Sequence, residues 1–118
     1  MGDMKQAMTD VKRSLAELSK QAPEEMKCFL QFSEQVLAPD ALDLKTKELI
    51  ALGMALTARC KYCIGMHTQS CLAAGATVKE IWEVAAVAVM MGGGPALTYT
   101  AELLKALQEF GPKEEKVA

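Results

Sequence analysis

Apolar residues recur at helical spacing along almost the whole chain, and this periodicity restricts the fold more than any other feature of the sequence. Met4, Met8, Val11, Leu15 and Leu18 lie four, three, four and three positions apart, which is the spacing of one helix face. No stretch alternates between apolar and polar residues as half-buried strands do. The sequence therefore predicts an all-α fold.

Proline and capping residues mark the ends of the first helices. Pro23 suits the first turn of a second helix, and we expect that helix to stop before Pro39. Asp43 is a candidate N-cap for a third helix, because its carboxylate can accept from a free backbone N–H of the first turn. These signals separate three helices in the first half of the chain.

Glycines and a second cap divide the other half. Gly75 is expected to end the fourth helix, since glycine tolerates the left-handed conformation found there. Thr77 and Glu80 form a capping-box signature at the start of the fifth. Glycines 92–94 interrupt that helix, and Pro95 is expected to start a sixth that runs to about Phe110. The pattern predicts about six helices.

Length and charge narrow the class of protein. With 118 residues the chain is expected to be a single domain over 1–118, with a loose tail at 111–118. Its 13 basic and 15 acidic residues are scattered, which argues against nucleic acid or a membrane surface as partner. No apolar run reaches membrane-spanning length and the first residues lack a signal-peptide core. We expect a cytoplasmic protein in a reducing compartment.

The chemistry is concentrated at Cys60, Cys63 and His67. Two cysteines three positions apart can close a disulfide, and in a reducing compartment such a pair is more often redox-active or metal-binding than a structural crosslink. The thiolate is the nucleophile, and a helix N-terminus or a nearby histidine raises its population. His67 follows Cys63 by four residues, so on a helix both lie on one face.

One helix boundary is not marked by any local signal. Periodicity alone allows a single helix of about 30 residues over 44–74, which is long for a globular domain. Glu48 would then lie about 18 Å from Cys60. A break near Arg59 that folds the two halves antiparallel would instead bring Glu48 to the cysteines. The residues themselves leave both possibilities open.

A zinc site is the main alternative to redox chemistry. Cys60, Cys63, His67 and Cys71 are four candidate ligands, but Cys60 and Cys71 would be about 16 Å apart on one helix, too far to share an ion. A site made by the first three with an outside ligand stays open. We interpret Cys71 and Cys28 as small buried hydrophobic residues.

The spacing of these residues carries a family resemblance. Glu48, Cys60, Cys63 and His67 match the pattern Glu-x(11)-Cys-x-x-Cys-x-x-x-His, and the flanking segments 45–52 and 75–81 match as well. Over roughly residues 24–107 the chain resembles the alkylhydroperoxidase D-like proteins of the carboxymuconolactone decarboxylase family. Four ordered positions make this signal far more specific than a lone Cys-x-x-Cys pair.

The resemblance implies an all-α fold with the cysteine pair at the start of a helix. It implies a peroxidase, or a general thiol–disulfide oxidoreductase, which acts on small hydroperoxides or disulfides and is regenerated by a dithiol donor such as a lipoylated protein. Cys63 would meet the peroxide, Cys60 would resolve, and Glu48 with His67 would relay protons. No flavin or nicotinamide motif is visible, so no such cofactor is expected, and we favour redox chemistry over a metal site at the cysteines.

Three departures from the family pattern qualify that expectation. Alkylhydroperoxidase D resembles two copies of the helical unit, whereas this chain has one, and single-unit relatives resemble trimers or hexamers. Tyr62 stands where that enzyme has a histidine between the cysteines. The decarboxylases of the same fold lack the cysteine pair.

The fifth helix also bears on assembly. Val84 to Met91 is apolar without a gap, and a helix apolar on every side must be buried all round. A domain this small can hardly surround one of its own helices, so the sequence predicts a homo-oligomer. A non-enzymatic oligomeric module that binds a metal or a partner protein is the remaining alternative.

Overall fold

The structure is a computed structural model that describes residues 2–113, and these residues form six α-helices with no strand among them. The helices are α1 (Asp3–Gln21), α2 (Pro23–Leu37), α3 (Leu44–Thr57), α4 (Lys61–Ala73), α5 (Val78–Gly92) and α6 (Gly94–Phe110). The predicted all-α fold is confirmed, while residues 114–118 of the expected tail lie outside the described part. None of these six helices is long and apolar enough to cross a membrane.

Helices α3 to α6 enclose the main core. Helix α3 packs against α4 and α5, and α6 packs against the same two helices from the other side. The largest side chains fully buried between them are aliphatic, chiefly Leu52, Leu56, Ile64, Ile81 and Leu103. Burying them provides most of the driving force for this arrangement, since apolar burial is the dominant favourable contribution to folding.

Both predicted N-caps form. The Asp43 carboxylate accepts from the backbone N–H of Thr46 at 2.8 Å. Thr77 and Glu80 make the reciprocal capping box, with bonds of 3.1 and 2.8 Å. Each cap satisfies backbone N–H groups that the first helical turn leaves without an intrahelical partner.

The break between α5 and α6 lies at a single glycine. Gly93 has a φ of 70°, a conformation that residues with a side chain rarely adopt. Helix α6 therefore begins at Gly94, one residue before the expected start at Pro95. Gly75, with a φ of 94°, follows the end of α4 as predicted.

The reversal between α3 and α4 occurs at Arg59. Its φ of 56° places it in the left-handed region, where it is the one residue other than glycine among those described. The backbone N–H of Cys60 then donates to the carbonyl of Ala55 at 3.1 Å, which closes the turn. The two halves of segment 44–74 fold against each other, so the break near Arg59 is confirmed.

The first half of α1 docks on α4 and α6. Met4 and Met8 are buried against Gly65, where a Cβ atom would lie 2.5 Å from the sulfur of Met4 and 2.7 Å from the terminal methyl of Met8. At the same end, the Glu109 carboxylate accepts from the backbone N–H groups of Met4 and Lys5 at 3.0 and 2.8 Å. Glu109 of α6 thus caps the N-terminal end of α1.

The second half of α1 and most of α2 project from this frame. Leu15 and Leu18, which continue the apolar face of α1, are exposed, and α2 buries only Met26. The radius of gyration is 14.7 Å, against about 13.5 Å expected for a compact chain of this length. The prediction that Cys28 is buried is wrong, because α2 has too little protein packed against it to cover that side chain.

We expect Gly65→Leu to destabilise the fold by about 2 kcal/mol or more, because the new side chain must displace two buried methionines. Gly94→Leu is the matched control, since a Cβ there meets nothing within 4 Å. Urea unfolding followed by circular dichroism measures both. Equal midpoints for the two variants would contradict the close packing of α1 on α4.

Candidate active site

The cysteine pair lies at the start of α4. Cys60 is the N-cap residue, and its Sγ accepts a hydrogen bond from the backbone N–H of Cys63 at 3.2 Å. The two residues form a disulfide, with Cα atoms 5.2 Å apart. The expected position of the pair at a helix start is confirmed, and it follows directly from the reversal at Arg59.

This position favours ionised thiols once the disulfide is reduced. The N-terminal end of a helix carries a partial positive charge from its unpaired backbone N–H groups, and a thiolate there is stabilised by it. Both Cys60 and Cys63 are half-buried, so a small reactant can approach them from solvent. This partial charge favours the thiolate of both cysteines, so it does not indicate which of them is the nucleophile.

Glu48 and His67 meet across α3 and α4. The Glu48 carboxylate is almost fully buried, with 5% of the residue exposed, and its Oε1 lies 2.7 Å from Nδ1 of His67. The imidazole is about one quarter exposed. Because an unpaired buried carboxylate is costly, this hydrogen bond matters for stability as well as for chemistry.

The hydrogen bond determines what the imidazole can do. When Nδ1–H donates to Glu48, the lone pair of the neutral ring lies on Nε2, which can then accept a proton. A carboxylate bound to Nδ1 in this way orients the ring, as an acidic residue does beside catalytic histidines. His67 follows Cys63 by one helical turn, so the structure brings the four expected site residues into one region.

Cys71 is buried below this region, one turn beyond His67. Burial, together with the negative charge of Glu48, raises the pKa of the Cys71 thiol to about 12. Such a thiol stays protonated at neutral pH and is a poor nucleophile. The expectation that Cys71 is a small buried hydrophobic residue is confirmed.

The two residues between the cysteines face different surroundings. Tyr62 is about half exposed, beside the entrance to the cysteine pair. Lys61 forms an ion pair with Asp3 at 3.0 Å, and that hydrogen bond raises the pKa of Lys61. This contact joins the start of α1 to the start of α4. The sequence gives no local signal for it, because 57 residues separate Asp3 from Lys61.

The disulfide is partly exposed to solvent, since Cys60 and Cys63 are both half-buried. Residues 2–113 contain no group of three or more histidine, cysteine or acidic side chains placed to hold a metal ion. The arrangement is a dithiol beside a histidine–carboxylate pair, suited to thiol chemistry with proton transfer.

Comparison with known proteins identifies the family of the fold that holds this site. The model of the carboxymuconolactone decarboxylase family matches residues 23–106, which is most of the chain and includes every site residue. The chain belongs to the carboxymuconolactone decarboxylase family. The resemblance to its alkylhydroperoxidase D-like members is therefore confirmed at the level of the family.

Relatives in this family match along most of their length. An uncharacterised protein of Haemophilus influenzae is 36% identical over 104 residues, which cover 88% of this chain and 92% of that protein. An uncharacterised protein from the cox locus of Paracoccus denitrificans is 34% identical, covering 88% and 94%. These matches extend the family assignment over nearly the whole chain without adding an activity.

Two solved structures of the family share the fold. A carboxymuconolactone decarboxylase family protein from Legionella pneumophila superimposes with a TM-score of 0.88 at 40% identity, covering 92% of this chain and 97% of that one. A Thermotoga maritima member, for which a role in the antioxidative response has been suggested, gives 0.78 at 30% identity, covering 86% and 87%.

We expect the four cysteines to differ sharply in reactivity. In the reduced native protein at pH 8, iodoacetamide should label Cys28, Cys60 and Cys63 within minutes. Cys71 should stay unlabelled, because only roughly one in ten thousand of its thiols is ionised at this pH. Peptide mass spectrometry measures each site, and labelling in urea provides the control, since all four should then react. Labelling of native Cys71 as fast as Cys28 would refute its burial.

Proposed function

We propose that this protein is a dithiol peroxidase that reduces small hydroperoxides through a Cys60–Cys63 thiol–disulfide cycle. The observation that carries the proposal is the buried Glu48 carboxylate bound to His67, one helical turn from a cysteine pair at a helix start. A structural disulfide needs no such pair beside it. Membership of a family with a member suggested to act in an antioxidative response adds support.

The cycle begins with the reduced pair. The Cys63 thiolate attacks one oxygen of the hydroperoxide, the O–O bond breaks, and Cys63 becomes a sulfenic acid. The departing alkoxide takes a proton, which His67 supplies as imidazolium while Glu48 stabilises that charge. The Cys60 thiol then attacks the sulfenic sulfur, water leaves, and the disulfide closes. The two thiols have supplied the two electrons that reduce the peroxide to an alcohol and water.

A dithiol donor must reopen the disulfide. One donor thiolate attacks a sulfur of the Cys60–Cys63 bond to form a mixed disulfide, and the second donor thiol displaces the protein sulfur. The donor leaves oxidised, and both cysteines are free again. A lipoylated protein is the donor class that we propose, and a reducing compartment such as the cytoplasm is where such donors stay reduced.

The partial exposure of the pair favours a second candidate activity. Cys60 and Cys63 are both half-buried, so a disulfide substrate can also reach the sulfur atoms from solvent. A general thiol–disulfide oxidoreductase would use the same attack and the same resolving step. The two activities differ in whether hydroperoxide alone oxidises the pair.

The decisive experiment adds one equivalent of cumene hydroperoxide to the reduced protein, followed by rapid alkylation and peptide mass spectrometry. We expect a Cys60–Cys63 disulfide within seconds, reopened by dihydrolipoamide. Cys63→Ser should abolish the reaction, and Glu48→Gln and His67→Asn should each slow it by about a hundredfold, the usual contribution of a positioned proton-transfer group.

Cys28→Ser is the matched control, because it removes an exposed thiol far along the chain from the site and should leave the rate unchanged. If both thiols of the pair stay free after peroxide is added, hydroperoxides are not the substrate. Closure of the pair by a disulfide reagent in that same sample would then favour the oxidoreductase activity.

We also propose that the protein is a homo-oligomer, a trimer or a hexamer, assembled through the outer face of α3 and α5. On α5 the largest exposed side chains are apolar, and Met90 and Met91 are each about three quarters exposed. Ile50 and Met54 continue this surface on α3. An apolar area of this kind on a single chain marks an interaction site.

A groove runs along this face. Its volume is about 450 Å³, and no charged side chain lines it. The lining residues are Thr46, Leu49, Ile50, Gly53, Met54, Thr57, Val84, Val87, Ala88 and Met91. Another copy offers the same groove and the same protruding methionines, so side chains of one copy can insert into the groove of the next around a closed ring.

Val87→Lys should therefore convert the oligomer to a smaller species, because it buries a charge at the centre of the proposed contact. Glu83→Lys changes the charge of an exposed position on the same helix outside the groove and should leave the assembly intact. Light scattering coupled to size exclusion measures both. A monomeric mass for the unaltered protein at micromolar concentration would overturn the proposal.

A further inference from the structure

An open polar cavity lies at the turn between α3 and α4, and its lining includes Arg59, the residue before Cys60 in the chain. Its volume is about 680 Å³. It is lined by the turn and by the first turns of α6, namely Ala58, Arg59, Gly94, Pro95, Thr98 and Tyr99. Arg59 brings the one formal charge of this lining, so the cavity is positive.

Arg59 is an unusual residue for its position. The left-handed φ of 56° suits glycine or asparagine, yet the chain has arginine there. Its side chain is exposed, and within residues 2–113 no ion pair or hydrogen bond engages it. The guanidinium is therefore available to a ligand that enters the cavity.

Arg59 is a neighbour of the cysteine pair in the chain. Arg59 directly precedes Cys60, and consecutive Cα atoms are about 3.8 Å apart across a trans peptide. The cavity lining thus includes the residue that directly precedes the N-cap cysteine of α4. The planar fork of N–H donors matches the two oxygens of a carboxylate, and such charge-assisted pairs are stronger than neutral hydrogen bonds.

We propose that this cavity binds the carboxylate of the small-molecule substrate that the Cys60–Cys63 dithiol reduces. The inference rests on the proposed dithiol function and adds a substrate class to it, namely hydroperoxides or disulfides that carry a carboxylate. The absence of any acidic group in the lining removes the repulsion that such a substrate would otherwise meet. Tyr99 brings a phenolic hydroxyl to the same lining, as a second donor.

Two disulfide reagents separate this binding from the thiol chemistry. Dithiobis(nitrobenzoate) carries two carboxylates, and 2,2′-dipyridyl disulfide is neutral. With either reagent, one protein thiolate attacks a sulfur and releases one aromatic thiolate. The second protein thiolate then attacks the mixed disulfide, releases the other and closes the Cys60–Cys63 bond. Two electrons pass from the dithiol to the reagent, and each reaction is followed by the absorbance of its released product.

The reactions are measured by stopped flow in a Cys28→Ser background, which removes the exposed thiol that would also react. We expect Arg59→Asn to lower the ratio of the dicarboxylate rate constant to the neutral rate constant about tenfold, since one charge-assisted contact is lost. Asparagine suits the left-handed conformation, so the turn is preserved. Arg13→Asn is the matched control, because the chain has two arginines and this one lies on α1, outside the cavity.

A second pair of variants tests the cavity without touching Arg59. Thr98→Glu and Thr98→Gln have nearly the same size and differ in one negative charge at an exposed lining position. The glutamate variant should lower the rate ratio and the glutamine variant should leave it unchanged. An effect of equal size in both would mean that the lining acts by shape alone, which overturns the carboxylate assignment.

The remaining outcomes are distinct. If Arg59→Asn slows both reagents equally, Arg59 acts on the thiolates or on the turn, and no carboxylate site exists here. An unchanged ratio in Arg59→Asn has the same meaning. If neither reagent closes the Cys60–Cys63 bond in the parent chain, the dithiol function itself fails, and this inference fails with it.

Discussion

The hydrogen bond between Glu48 and His67 is the contact on which the rest of the site depends. It joins a buried carboxylate on α3 to an imidazole on α4, so it exists only if these two helices run side by side. That arrangement in turn requires the chain to reverse at Arg59 within a few residues. The reversal places Cys60 at the N-cap of a new helix. A single change of backbone direction therefore creates both the histidine–carboxylate pair and the position of the cysteines at a helix start.

Helix α4 is held in place from two sides. On one side α3 contributes Glu48, and on the other the start of α1 packs Met4 and Met8 against Gly65. The ion pair between Asp3 and Lys61 adds a contact at the end where the disulfide lies. The disulfide joins the N-cap and the first turn of α4, whereas the carboxylate that binds His67 comes from α3.

Family membership indicates the fold of this chain, whereas its function depends on the residues of the site. The match over residues 23–106 establishes the family to which the chain belongs. Function follows the residues placed on a fold rather than the fold itself. In this chain those residues are a dithiol, a histidine–carboxylate pair and, in our proposal, an unpaired arginine beside them. The apolar outer face of α3 and α5 is a separate feature, and it bears on assembly rather than on chemistry.

The sequence by itself determined the helices and their caps, and it indicated the residues of the candidate site. Helical periodicity, the Asp43 cap and the Thr77–Glu80 box act over a few neighbouring residues, so local pattern was sufficient. The sequence did not determine burial: Cys28 was predicted to be buried and is exposed, and Leu15 and Leu18 are exposed although they share an apolar face with Met4. Periodicity shows which face of a helix is apolar, and only the packing shows whether protein covers that face. The turn at Arg59 was not marked by a glycine or a proline, and the contacts of Asp3 with Lys61 and of Glu109 with α1 join residues far apart in the chain. Only the tertiary structure decided this turn and these contacts. Their energies depend on which surfaces meet, and a pattern of neighbouring residues does not show that.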